Sequence, residues 1–211
     1  MQATPGASLT PDGGVPRSAS GAVPPAHRVR RRLRLFTGVA VLAWVLDVAT
    51  KTVAVDVLRD RAPIEVVPGV LDLTLTRNPG AAFGLGTDLT VVLTLAALVV
   101  VGVVLRLSVR IADPVWAVGL GLLLGGALGN LTDRLLREPG PLQGHVVDFL
   151  RLPHWPVFNV ADSCIVAAAA VIAWQSVRGT ALDGARTTDG RAPGDGPAAS
   201  GGTRGGAEGE Q

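Results

Sequence analysis

Cysteine is nearly absent from this chain: Cys164 stands alone among 211 residues, so no intrachain disulfide can staple the fold. It lies inside an apolar run, where a free cysteine behaves as a small buried hydrophobe. Charge is scarce too. Only 17% of residues are charged and the formal net charge is +2, so no nucleic-acid partner is expected. The HExxH spacing of zinc peptidases is missing. His27 falls in a polar tail, and His145 and His154 lie near no cysteine, so no metal site is expected. Ser163 has no GxSxG elbow around it, and no buried Ser-His pair is apparent. The glycines Gly125, Gly126 and Gly129 follow no strand, which removes a dinucleotide-binding reading. They read instead as close helix packing. No cofactor is expected.

What the chain does have is hydropathy. Its mean value is +0.40, and its charges gather in the tails and between apolar runs, the pattern of a polytopic membrane protein. The runs are Leu35 to about Val55, Leu89–Leu105, Val115–Thr132 and Pro156–Val177. A spanning helix needs about 20 residues, with a lower limit near 17, so four spans fit. The expected fold class is an all-α polytopic membrane protein with four transmembrane helices and a small extracytoplasmic β element. Residues 1–27 and 179–211 are rich in Gly, Ala, Pro, Ser and Arg without apolar periodicity, and read as disordered tails around a membrane domain of residues 28–178. The N-terminal tail lacks the basic start and apolar centre of a signal peptide. The run after it carries Asp47 and Lys51 and no convincing cleavage site, so it reads as a retained first span.

Orientation follows from arginine. Arg28, Arg30, Arg31, Arg32 and Arg34 precede span one, Arg106 and Arg110 follow span two, and Arg178 and Arg186 follow span four. An even span count puts these groups on one side, which predicts cytoplasmic N and C termini. Two segments are then external. In the first, about Leu58 to Asp88, the alternation in VLDLTLT predicts a short strand or hairpin at the membrane surface, broken by the turn Asn78-Pro79-Gly80. The second, about Leu136 to Trp155, contains Pro139, Pro141 and Pro153 and reads as a loop, with Trp155 as an interfacial anchor.

The chemistry sits between Gly125 and Ser163. Two short patterns, Asn130-x-x-Asp133 and Asn159-x-x-Asp162, would each aim an amide and a carboxyl from one helix face. Asp148 lies in the apolar patch His145-Val-Val-Asp-Phe-Leu150, and Asp162 falls in the first turn of span four, at the same depth and on the same side. Ionisable groups beside spans this apolar are functional hypotheses by default. Two carboxyls close together cannot both ionise cheaply, so one keeps a proton and the pair can serve as base and acid on water. Plainer readings stand beside these. Asp162 could simply complement a helix dipole. Asp47 and Lys51, four apart, could be a helical ion pair or could support the site. Asp133 could be an acid held by its neighbour Arg134.

At these residues the chain resembles the prolipoprotein signal peptidases, also called signal peptidase II. The matching stretches are LDVATK (46–51), NPGAAFG (78–84), GGALGNLTDR (125–134), VVDF (146–149) and FNVADS (158–163), in the family's order. The resemblance spans about residues 30 to 178. It implies an aspartyl endopeptidase of the bacterial cytoplasmic membrane that removes the signal peptide from prolipoproteins, just before a diacylglyceryl-modified cysteine. It implies the catalytic pair Asp148 and Asp162, with Asp47, Lys51, Asn78, Asn130, Asp133, Arg134 and Asn159 binding substrate or supporting the site. It implies inhibition by the cyclic peptide globomycin at the substrate position. The expected partners are the lipid-modified precursor and membrane lipid, the expected state is a monomer, and the site is expected near the outer membrane face. The link between the two aspartates is rather short for the family.

Rival functions differ in what they require. A proton-relay transporter would call for a Gly/Pro-interrupted midplane span, which is missing. A presenilin-type protease would carry GxGD, which is also missing. A structural assembly factor would use the aspartates for packing alone. Residue chemistry reaches an aspartyl pair near the outer membrane face. The substrate comes from the resemblance.

Overall fold

The computed structural model describes residues 26–80 and 89–185. The expected turn at Asn78-Pro79-Gly80 is within this range, whereas residues 81–88, including the rest of the NPGAAFG motif, lie outside it. So do residues 1–25 and 186–211 of the two tails.

Four helices and three strands follow in the order α1 (Ala26–Leu58), β1 (Ile64–Val67), β2 (Leu71–Asn78), α2 (Leu89–Ser108), α3 (Pro114–Leu136), β3 (Val146–Arg151) and α4 (Val160–Val177). All four helices are long and apolar enough to cross a membrane. Large apolar side chains such as Leu42, Val53, Val92, Val99, Val103 and Val166 are exposed on them. In water such a surface would be an interaction patch. In a bilayer it is the lipid-facing side of a multi-pass membrane protein.

Helix α3 is the axis of the bundle and packs against the other three helices. Its glycines permit this. A methyl added to Gly125 would stand 2.6 Å from the Ala43 Cβ of α1, and one on Gly126 would stand 2.6 Å from the Ala161 carbonyl of α4. Both distances are below van der Waals contact, so only glycine allows α3 this close to α1 and α4 at once. At one end of the bundle Phe36, Ala40, Val104, Ile111, Ala117, Leu120 and Leu124 form the apolar core. Asp113 caps α3 there, accepting from the amides of Val115 and Trp116, and Pro114 opens the helix.

The sheet order is β1-β2-β3, antiparallel throughout. The hairpin expected from the alternating stretch is present as β1 and β2, with Gly69 at φ 71° in the turn. The segment 136–155, expected to be only a loop, holds β3, which pairs with β2. Its residues Val146 to Phe149 are buried in succession, so the stretch shows no period-two pattern of apolar and polar residues. The pairing sets Thr76 opposite Asp148, which puts Asn78 on the face that carries Asp148. The other face carries Phe149, which packs with Leu73, Leu75, Ala54 and Leu58 at the end of α1.

Two tail boundaries move. Helix α1 begins at Ala26, inside the expected N-terminal tail, and Arg32 donates to the Ala112 carbonyl at 3.2 Å. Residues 179–185 fold onto the α2–α3 connection: Ala112 N donates to the Leu182 carbonyl at 2.9 Å, and Trp116 Nε1 donates to the Thr180 carbonyl at 2.9 Å.

Candidate active site

Helix α1 contributes Asp47 and Lys51, both fully buried. Lys51 Nζ lies 2.7 Å from Asp47 Oδ2 and 3.1 Å from Asp133 Oδ2, and donates to Asn130 Oδ1 at 2.8 Å. One ammonium is thus paired with two carboxylates and donates to one amide, three partners from two helices. Asp47 Oδ1 accepts from the Ala161 amide at 2.7 Å, at the N-terminus of α4. The expected i,i+4 ion pair is therefore present, and its further contacts tie α1, α3 and α4 together.

Asp133 is held differently from the expectation. Its partners are Lys51, Arg137 and the Val147 amide, which donates at 3.1 Å; Arg134 makes no hydrogen bond to it. The spacing explains why. Arg137 lies four residues on and shares the face of Asp133, whereas Arg134 is one residue on and points elsewhere. Through the Val147 amide, Asp133 fixes the start of β3 one residue before Asp148.

The two amides cross over between the aspartates. Asn130 Nδ2 donates to Asp162 Oδ1 at 2.8 Å rather than to Asp133. Asn159 Nδ2 donates to Asp148 Oδ1 at 2.6 Å and to Asn130 Oδ1 at 3.2 Å. Asn159 is also the N-cap of α4. Its Oδ1 accepts from the Asp162 amide at 3.0 Å, while Asp162 Oδ2 accepts from the Asn159 amide at 3.2 Å, a reciprocal capping box. Capping and site-building are thus two jobs of one side chain, and Asn159 touches both aspartates.

Asp148 is buried, and Asn78 Nδ2 donates to its second oxygen at 2.9 Å. Asn78 is oriented in turn by the Gly80 amide, which donates to its Oδ1 at 2.8 Å. Burial pushes the Asp148 carboxyl up to about 6. The hydrogen bonds from Asn78 and Asn159 and the charge of Lys51 work against that rise, and the charge of Asp162 adds to it. Arg134 is buried beside this group, and the charges of Asp148, Asp162 and Asp133 all act on it. Its Nη1 has no hydrogen-bond partner among the described residues.

The structure therefore gathers eight of the nine sequence-predicted residues, Asp47, Lys51, Asn78, Asn130, Asp133, Asp148, Asn159 and Asp162, into one network of hydrogen bonds and ion pairs. The ninth, Arg134, stands at its edge. Arg137 was missed, although its i+4 spacing from Asp133 signalled it. The supporting amides of Val147 and Ala161 were invisible in side-chain chemistry.

Known proteins share this arrangement's sequence. The family model described as Signal peptidase (SPase) II matches residues 39–178. This chain belongs to the signal peptidase II family. The lipoprotein signal peptidase of Mycobacterium avium (strain 104) is 46% identical over 169 residues, covering 80% of this chain and 93% of that one. That of Mycobacterium tuberculosis (strain ATCC 25618 / H37Rv) is 47% identical over 169 residues, covering 79% and 84%. That of Streptomyces coelicolor is 44% identical over 161 residues, covering 76% and 79%. Among solved structures, a bacterial membrane enzyme determined in meso superimposes with a TM-score of 0.60 at 28% identity, covering 68% of this chain and 87% of that chain. The signal peptidase II match covers every residue of the network, from Asp47 to Asp162.

Proposed function

We propose that this signal peptidase II family member is an aspartic endopeptidase that removes the signal peptide from diacylglyceryl-modified prolipoproteins, with Asp148 and Asp162 as its catalytic pair. The observation that carries this reading is the bridge between them: the Asn159 side chain donates to Asp148 and to Asn130, Asn130 donates to the Asp162 carboxyl, and the Asn159 backbone amide donates to that same carboxyl. Two carboxyls joined through amides, at the junction of a buried strand and a helix N-terminus, can share one proton. The raised Asp148 is the member that holds it near pH 6. A water between the pair loses a proton to Asp162 as it attacks the peptide carbonyl carbon. Asp148 then gives its proton to the departing nitrogen. Protons balance, and no covalent intermediate forms. Arg134, whose buried Nη1 has no hydrogen-bond partner among the described residues, donates to substrate carbonyls in this reading. Lys51 and Asp133 hold the scaffold, since their donors and acceptors are used within the protein.

The substrate class follows from the family and from the names of the relatives. The cytoplasmic termini and external site are supported by the arginine pattern, and a monomeric state belongs to the same proposal. The deciding test incubates purified protein with a diacylglyceryl-modified precursor and with the same precursor unlipidated. Cleavage just before the modified cysteine, in the lipidated precursor only, is expected. Equal cleavage of both would remove the lipid from the reading.

A further inference from the structure

Helix α2 faces lipid along most of its length, and the only buried side chains in its outer half are two threonines, Thr90 and Thr94. They sit four residues apart on one face. Thr50, Thr52 and Thr132 return their hydroxyls to carbonyls of their own helices, the usual habit of a helical threonine in an apolar setting. Thr90 departs from it and donates to the Pro79 carbonyl, just past the end of β2. The Thr94 hydroxyl lies 2.8 Å from the Thr90 carbonyl and 2.8 Å from the Leu142 carbonyl, in the approach to β3, and shares its hydrogen between them.

These two contacts hold the two shoulders of the strand pair that carries the site. Asn78, which donates to Asp148, immediately precedes Pro79. Leu142 precedes β3, where Val146 pairs with Asn78. Pro79 has a carbonyl but no amide hydrogen, so an acceptor is the only handle it offers.

We infer that Thr90 and Thr94 form a clamp that positions Asn78 against Asp148, making α2 a positioning element of the active site although it contributes no group to the reaction. Removing the Thr90 hydroxyl frees Pro79 and lets the Asn78 amide drift from the carboxyl. That amide donates to the carboxylate and so favours its charged form, and its loss raises the Asp148 midpoint. The other charged groups felt by Asp148 are Asp162 of α4, Lys51 of α1 and Arg134 of α3, and the substitution touches none of them.

The kinetic arm of the test rests on the proposed role of Asp148, and the titration arm does not. Full-length protein carrying ¹³C-labelled aspartate is titrated by NMR, with the Asp148 resonance assigned by its loss in Asp148→Asn. Wild type, Thr90→Val, Thr94→Val and Thr90→Ser are compared, with kcat and KM measured on the same preparations. The clamp predicts an upward shift of roughly 0.5 pH unit or more in Thr90→Val. It also predicts a kcat lower by roughly tenfold with KM little changed, and wild-type behaviour in Thr90→Ser. An unshifted midpoint in Thr90→Val overturns the clamp, as does equal impairment in Thr90→Ser. Should Thr90→Val fail to fold, Thr94→Val decides: a shift in the same direction supports the clamp and no shift overturns it. A shifted midpoint together with full cleavage by Asp148→Asn would leave the clamp standing and remove Asp148 as a catalyst.

Discussion

Asn159 shows how much one side chain can carry. Its oxygen caps α4 and its nitrogen reaches Asp148, so one residue makes both the helix cap and a contact with the proposed catalytic pair. Asn159→Ala is expected to lose about 1 kcal/mol of stability as a cap. It is also expected to slow cleavage by roughly tenfold or more, because Asp148 loses a donor and its link through Asn130 to Asp162. Thermal midpoint and rate, measured on one preparation, should fall together, and a lowered midpoint with an unchanged rate would reduce Asn159 to a cap. The raised Asp148 gives a second expectation. In the proposed mechanism Asp148 holds its proton below about pH 6, so kcat/KM should decline as pH rises through that value. A rising limb there would make Asp148 the base. Lys51 supplies a third. Lys51→Met leaves the buried Asp47 and Asp133 without their shared cation, a loss on the order of 3–5 kcal/mol, read as a collapsed thermal midpoint in detergent. The residue types of this site were legible because carboxylates and amides stand out in an apolar chain. Their pairing was not. Spacing says which groups share a face of one helix, whereas Asn130 and Asp162 meet across two helices.

Among the elements, the four spans were readable because a bilayer imposes a length and an apolar composition on a helix. The β1–β2 hairpin was readable from its alternation. Strand β3 was not, because burial of both faces erases the alternation that marks a strand. The start of α1 was set too late because its arginines read as a boundary, although arginine is a good helix former. Helix α3 owes its central place to glycine. Gly125→Leu should push α3 off α1 at Ala40 and Ala43, at a cost of about 1–3 kcal/mol or a failure to insert. Gly102 of α2 has nothing within 4 Å of an added methyl, so Gly102→Ala is the matched control. Equal stability of the two variants would contradict the close-packing account.

For the whole molecule, the arginine pattern and the even number of spans predict cytoplasmic termini. Reporter fusions at residues 110 and 180 should read cytoplasmic and one at 140 external; an external signal at 180 would force a different span count. The apolar end of the bundle is closed by residues 179–185. Truncation after residue 185 should therefore leave the thermal midpoint intact, whereas truncation after residue 178 should lower it. The central claim concerns Asp148 and Asp162, and single-turnover cleavage of a diacylglyceryl-modified precursor by Asp148→Asn and Asp162→Asn tests it most directly. Both variants should insert and melt close to wild type yet cleave at least about a hundredfold more slowly, as expected for loss of a general acid or base. Cleavage above about a tenth of the wild-type rate by either variant would contradict the assignment of that aspartate to the reaction.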